Sequence, residues 1–515
     1  MTHAALGFPV WIRATHWINV LFIGFLIRAG IQILGAYPRL YWNVHCTPGT
    51  EWLKFTKKVM PKDRLWTALD MEEAVPAWLG QPGGNNLSAS ALYVWYAAVP
   101  AWLGQPGGNN LGMGRHWHFS AALFWVLNGL VYVILLFATG EWTRLIPTSW
   151  DIFPAAWHTF ITYATLGQPP ASASHPFDPL QQLAYAAVIF VLAPFLILTG
   201  AAQSPAIEAQ FPRYAWLFGG RQRARSLHFL GLAAFVVFII MHTALVVYTG
   251  FGPNMGNMIL GQPAHDQGRA VAIGLGLIAL ILVTYGLTSW YSRSAPRRVQ
   301  RALGALIAPP MRALALHTRS RQQYPPGAIS PYFIVNGRPP ETPEYQRLQR
   351  DGFVDWHIEV RGLVARPRSF SLAEVRALPK QTQITAHHCI QGWSGIASWG
   401  GPPLSAILEQ CEPLPAARYA IFHSYHVDTS NRPFYEALDL RLAGHPQTLL
   451  AYEMNDAPLT VPHGAPVRLR VETLLGFKMV KWLCAIELVA DYRGIRDGQG
   501  GSREDNMYYE ESVSI

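Results

Sequence analysis

Residues 225–249 read RSLHFLGLAAFVVFIIMHTALVVYT, an apolar run interrupted by His228 and His242. The two histidines lie fourteen residues apart. On a helix rising about 1.5 Å per residue that is about 21 Å, close to four turns, and it leaves both on nearly the same face. An imidazole inside a membrane span is costly unless it faces the bundle and finds a partner. Two of them, one near each leaflet, predict a helix that ligates two stacked haems and carries electrons across a bilayer.

The rest of the chain fits a membrane protein at its amino-terminal end. Of 515 residues, half are hydrophobic and only 14% are charged, against about 25% in ordinary soluble domains. The deficit is concentrated before residue 292. The net charge of +9 is carried largely by arginines between apolar stretches. It reads as lipid-facing basic loops, with no basic stripe interleaved with aromatics that would suit nucleic acid. Four cysteines, Cys46, Cys389, Cys411 and Cys484, are too few and too scattered for a disulfide framework or a CxxC metal site.

Five stretches approach the ~20 residues that a bilayer core requires: Trp17–Ala36, Phe119–Ala138, Leu183–Ala202, Leu227–Thr249 and Ala270–Trp290. The first has no cleavable signal pattern and reads as a retained span. Between the first two lies a long polar loop in which AVPAWLGQPGGNNL occurs at 74–87 and again at 98–111. Two copies read as a duplication within a loop, because stacked repeats need at least three. The apolar piece between them, Ala89–Leu103, holds Pro100 and is too short to span. Residues 292–324 form an Arg- and Pro-rich linker. Short alternating segments broken by Pro, Gly and Asn follow over 325–492, the texture of a mixed, mostly β domain. Residues 493–515 are a polar, acidic tail expected to lie outside any core. The fold class is thus an all-α transmembrane bundle of five spans followed by a mostly β domain.

Further histidines close the haem argument. His16 opens the first span, and His116 and His118 open the second. A b-type haem takes two axial imidazoles from facing helices. With alternating spans, His16 reaches the depth of His242, and His118 that of His228, which gives two pairs at two levels. His116 competes with His118, and spacing does not choose between them. Arg28, inside the first span, needs a propionate, a quinone or a carbonyl, or else snorkels to the interface.

The segments Arg13-Ala14-Thr15-His16-Trp17, Arg115-His116-Trp117-His118-Phe119 and Arg225-Ser226-Leu227-His228-Phe229 with His242 resemble the di-haem b-type cytochrome subunits of nickel–iron hydrogenases and respiratory formate dehydrogenases. The similarity covers roughly residues 8–290. It implies two b haems, a multi-pass protein of a bacterial inner membrane, and exchange with quinone or quinol near one haem.

Downstream, Thr385-Ala386-His387-His388-Cys389-Ile390-Gln391-Gly392-Trp393-Ser394 is followed by Trp399-Gly400-Gly401-Pro402-Pro403-Leu404 and by His463-Gly464-Ala465-Pro466-Val467-Arg468-Leu469. Gly476-Phe477-Lys478-Met479-Val480-Lys481-Trp482 comes next. The order of these segments resembles the sulfite-oxidase fold, a molybdopterin-binding domain, and within it the bacterial subgroup of methionine-sulfoxide reductases. The pterin phosphate that this resemblance implies would need guanidinium, ammonium and amide donors, for which Arg468, Lys478 and Lys481 are the cations and Gly476 allows close backbone approach. That resemblance implies a Mo-molybdopterin cofactor with Cys389 giving its thiolate to molybdenum. It further implies Asn336, His388 and His463 at the pterin and Tyr435 facing the substrate, where a buried core tyrosine is the rival reading. Cys411 and Cys484 read as packed thiols.

Two departures matter. The family places an arginine before the cysteine, and the methionine-sulfoxide subgroup has Arg-Cys-Val-Glu, where this chain has His388-Cys389-Ile390-Gln391. The substrate does not carry over, so the expected partner is an unspecified small oxygen-atom donor or acceptor, with reduction favoured. A separate redox partner protein is left open. Eighteen Lys and Arg flank the face shared with the C-terminal domain, against three on the other; the positive-inside rule then puts that domain on the cytoplasmic face, opposite to the family's arrangement. The sequence therefore predicts a membrane-bound molybdenum oxidoreductase. Its rivals are a haem carrier whose C-terminal domain only binds or senses, and a transmembrane ferric reductase.

Overall fold

The computed structural model describes residues 7–55, 111–169, 175–262, 266–315, 322–428 and 431–509. The duplicated loop, apart from Leu111, and its apolar insert lie outside the described residues. Among the described residues, five helices are long and apolar enough to cross a membrane: Val10–Ala36, Leu111–Ala138, Pro179–Ala201, Arg221–Tyr248 and Gln267–Ser294. They are the expected spans, each beginning earlier; the first, second and fourth do so by six to eight residues, at Val10, Leu111 and Arg221 instead of Trp17, Phe119 and Leu227.

The early starts have a cause. A 28-residue helix is about 42 Å long, more than the ~30 Å hydrocarbon core, so its polar first turns project. Those turns are buried against protein: Arg115, His116, Arg221, Gln222, Arg225 and Ser226 are all nearly inaccessible. Arg225 donates to the carbonyls of Tyr37 and Arg39 at 2.6 and 2.8 Å. Ser226 donates to the Tyr41 carbonyl at 2.7 Å. Arg39 pairs with Glu51 at 2.9 Å. Arg39, Arg115, Arg221 and Arg225 are therefore not lipid-facing as expected, and part of the basic excess on that face serves this packing.

The third span is not one regular helix. Pro194 has no N–H to donate into the ladder, and the chain takes a π turn at Val188–Leu192 just before it. Exposed tryptophans mark both ends of the bundle, Trp150 and Trp157 at one and Trp216 and Trp290 at the other, as expected at membrane–water interfaces. Arg28 donates to Ser289 Oγ at 2.7 Å and lies over the Tyr285 ring.

Two expectations for the chain after the spans need correction. The basic linker contains a helix, Pro296–Ala315. Its residues Val299, Leu303 and Ile307 are buried, one face at a four-residue spacing, and the first two pack on Met113. The polar tail is not outside the core: Ser502–Met507 is helical, and Ser502, Glu504, Asp505, Met507 and Tyr509 are buried. Gln300 donates to the Tyr509 carbonyl at 3.0 Å, so the tail is held between the membrane half and the C-terminal domain.

That domain is built on a five-stranded sheet, ordered Arg368–Ser371, His357–Gly362, Leu483–Val489, Tyr419–Val427 and Pro433–Asp439. Only the pairing of Leu483–Val489 with His357–Gly362 is parallel within it. Trp356, Phe370 and Phe422 fill the core beneath. A second sheet pairs Gln381–His388 with Ser394–Gly401 from His388↔Ser394 to Gln381↔Gly401. The turn of that hairpin, residues 389–393, carries Cys389. Gly401 packs against the Leu450 backbone, where a Cβ would fall 2.1 Å from a carbonyl oxygen.

Candidate functional site

The bundle brings the four membrane histidines together in two pairs. The rings of His16 and His242 have centroids 6.3 Å apart, and those of His118 and His228 are 6.4 Å apart. Metal–imidazole bonds of about 2 Å, with each ring centre about 1.2 Å behind its nitrogen, place two trans imidazoles about 6.4 Å apart. The residues present therefore fit a metal held between each pair. The Nδ1 atoms of His228 and His242 meet hydroxyls, Thr199 Oγ1 at 3.1 Å and Tyr185 Oη at 3.2 Å, which leaves each Nε2 for ligation. His116 is not at either pair; its Nε2 meets the Tyr508 carbonyl at 3.1 Å. Gly30 and Gly200 lie beside the His118 and His228 rings, 3.6 and 3.3 Å from where their Cβ atoms would stand.

The Arg221–Tyr248 helix links this level to the hairpin turn. Gln222 donates to the Gly392 carbonyl at 2.8 Å and to Ser394 Oγ at 2.9 Å. Arg221 donates to Ser394 Oγ at 3.4 Å. From Arg221 to His228 is seven residues, about 10.5 Å of helix. Gly392 adopts φ 123°, and a Cβ there would stand 3.3 Å from Arg225 Cζ and 3.5 Å from Tyr37 Cβ. Glycine is thus what lets the turn seat on the membrane half.

Cys389 is buried in a cluster with Ile390, Trp393, Phe477 and Tyr509. Asn336 Nδ2 points at its sulfur from 3.5 Å, and the thiol lies 3.8 Å from Gln391 Oε1. Burial pushes the thiol up to about 11 against the pull of a Gln391 backbone hydrogen bond and Arg221. Thiolate character at neutral pH would come from a metal.

Arg468 and Lys481 flank Gly464, whose Cβ position is 3.0 Å from Lys481 Cγ and 3.2 Å from Arg468 Cβ. Arg468 donates to the carbonyls of His463 and Met479 at 3.0 and 3.3 Å. Lys481 donates to the carbonyls of Asn336 and Pro462. Burial, with Arg468 beside it, drives Lys481 well below its usual range, and burial with Arg470 does the same to Arg468. His463 falls to about 4 through burial and these two charges. Arg468 Nε and His463 Nε2 are buried without hydrogen-bond partners among the described residues. Two buried cations bonded only to carbonyls, beside two orphaned nitrogens, fit an anion, and a pterin phosphate is one. Asn336 ties this cradle to the cysteine. Gly476 instead gives room to His387, whose ring lies 2.3 Å from where a Cβ would stand.

Two expected site residues belong elsewhere. Lys478 Nζ pairs with Glu436 at 3.0 Å and with Glu504, all three buried, so it is spent on carboxylates and is not a phosphate ligand. Tyr435 donates to Asp505 Oδ2 at 2.8 Å and packs with Ile421 and Ala437; it is a buried core tyrosine, the rival reading. Cys411 is a packed thiol, and Cys484 is half-buried.

Three residues at the site escaped the sequence reading. Glu208, between the third and fourth spans, lies 3.3 Å from His388 Nε2 and accepts from Tyr324 at 3.1 Å. Burial works against its charge, yet His388, Tyr324 and Arg221 leave it below the usual carboxylate range. His388 Nδ1 meets Ser394 Oγ at 3.0 Å. Cys46 accepts from the Ser394 N–H at 3.4 Å, and burial raises its thiol to about 12. Gln222 is the third. Their contacts cross between halves of the chain, and no local pattern signals them.

The fold and these sites define a class: a cytochrome b561-type membrane segment joined to a molybdopterin-binding domain of the sulfite-oxidase type. Residues 84–261 match the prokaryotic cytochrome b561 family, and residues 345–494 match the oxidoreductase molybdopterin binding domain. The chain is 33% identical over 153 residues to a putative protein-methionine-sulfoxide reductase subunit YedZ1 of Azospira oryzae, covering 30% of this chain and 54% of that protein. It is also 33% identical over 144 residues to the protein-methionine-sulfoxide reductase catalytic subunit MsrP of Xanthomonas campestris pv. campestris, covering 26% of this chain and 45% of that one. The chain thus spans about half the length of the curated relatives it matches. Among solved structures, the sulfane dehydrogenase SoxCD of Paracoccus pantotrophus is 21% identical over 29% of this chain and 40% of its own, with a TM-score of 0.25. At that score it carries no argument.

Proposed function

We propose that the chain is a membrane-bound molybdenum oxidoreductase that passes electrons from quinol through two b haems to a Mo-molybdopterin centre, where an oxygen atom is taken from a small substrate. One observation supports this most. Two imidazole pairs at ligation distance are linked by a helix whose first turn hydrogen-bonds the turn holding Cys389. In this reading His16 and His242 hold one haem and His118 and His228 the other. Cys389 binds the metal, and Arg468 and Lys481 hold the pterin phosphate. When bound, these groups supply one-electron transfer and two-electron oxygen-atom exchange.

The protein residues have separate tasks. The hydrocarbon around the spans would keep water from the imidazole pairs. Asn336 fixes the thiol from one side, and the Gly392–Ser394 turn, tied to Gln222 and Arg221, fixes it from the other. His388, between Glu208 and Ser394, is held in one orientation beside Cys389. In the purified full chain, quinol-reduced haems should be reoxidised by small sulfoxides, N-oxides or related oxygen donors. Cys389→Ser should slow that reoxidation at least about a hundredfold while leaving the haem spectrum unchanged. Equal reoxidation in the variant removes the molybdenum assignment.

A further inference from the structure

The third span contacts both histidines of the fourth. Tyr185 and Thr199 are fourteen residues apart, the same interval as His228 and His242 on the helix packed beside them. Each meets one imidazole Nδ1, Thr199 that of His228 and Tyr185 that of His242. The π turn at Val188–Leu192 falls between the two contacts.

The two hydroxyls differ in what else they do. Thr199 Oγ1 lies 2.7 Å from the Phe195 carbonyl, to which it donates its hydrogen. Its oxygen is then left to accept from His228 Nδ1–H, and a donating hydroxyl is polarised into a better acceptor. Tyr185 packs edge-on to the His242 ring, and among the described residues its hydroxyl hydrogen-bonds His242 alone. A phenol oxygen with no carbonyl to donate to pulls less on the imidazole proton.

We propose that Tyr185 and Thr199 are positioning residues that fix the ligating tautomer at each haem and set the two haems to different potentials. The inference rests on the two-haem reading above. The stronger hydrogen bond at His228 gives that ligand more imidazolate character, which favours ferric iron. The haem of the His118–His228 pair is therefore the one that Thr199 holds low, and Tyr185 acts on the His16–His242 haem alone.

The test is potentiometry of the haem absorption in the full-length protein, with electron paramagnetic resonance of the oxidised haems. Thr199→Val should raise one component by roughly tenfold in its redox equilibrium, about 59 mV for one electron. Tyr185→Phe should shift the other component and by less. Thr199→Ser, which keeps the oxygen, should match the native protein. Loss of haem in Thr199→Val with retention in Thr199→Ser also supports the hydroxyl's role. Unshifted components, both variants moving the same component, or loss of haem in Thr199→Ser overturns it. A native protein without two haems fails the parent reading instead, and the two failures are distinguishable.

Discussion

At the residue scale, geometry separates two histidines that the sequence could not. His118 faces His228, whereas His116 is engaged by the Tyr508 carbonyl. On the proposed two-haem reading, replacing His118 by Ala should remove one haem, and replacing His116 by Ala should leave both, as read by the pyridine haemochrome of purified protein. The buried Lys478–Glu436–Glu504 group gives a second residue-scale prediction. Burial first, and Glu504 second, hold the Glu436 carboxyl well above its ordinary value of 4.5. With its folded pKa raised, the protonated carboxyl favours the fold. That contribution is complete below the ordinary value and is lost as pH climbs through the raised one, by up to about 1.4 kcal/mol per pH unit. Glu436→Gln keeps the side chain neutral, so its melting temperature should be flatter between about pH 5 and about pH 8 than that of the native protein. An equal slope in the two proteins rejects the assignment.

At the scale of elements, the histidine interval was legible because the helical period fixes which face a residue takes, whatever surrounds it. Cys389 was legible because its neighbours come in one short run. The starts of the second and fourth spans were not, because Arg115, Arg221 and Arg225 look like water-facing charges until another part of the chain covers them. The tail was misread for the same reason: Glu504 and Asp505 suggest solvent, and only Lys478 and Tyr435, distant in sequence, make them interior groups. In sequence Lys478 reads as a phosphate ligand, and Tyr435 reads equally as substrate-facing or core, because their partners are distant along the chain. Removing residues 500–515 should leave Tyr435 without its Asp505 acceptor and Lys478 with one carboxylate. Breaking such buried pairing costs about 3–5 kcal/mol, so thermal unfolding of the C-terminal domain should begin at least about 5 °C lower. An unchanged unfolding temperature would show the tail to be dispensable.

At the scale of the whole molecule, membrane and C-terminal halves meet through many polar contacts around one turn. Gly392 is seated against Arg225 and Tyr37 with a positive φ. Gly392→Ala introduces both strain and a crowded contact there. Haem and molybdenum contents should stay at native levels, while electron transfer from haem to metal, followed by stopped-flow spectroscopy, slows by roughly tenfold or more. Native kinetics would show that this seat does not govern transfer.

On the proposed electron path, the fourth span also bears on how motion would enter turnover. One unbroken rod, Arg221–Tyr248, grips the cysteine loop at its tip and holds an imidazole from each pair along its shaft. Spacing along that relay is therefore set by backbone pitch rather than by a tether, and no swinging-arm excursion is needed to close the circuit. A single residue inserted between Gln222 and His228 would rotate everything beyond it by about 100°, disconnecting the relay while leaving both halves able to fold.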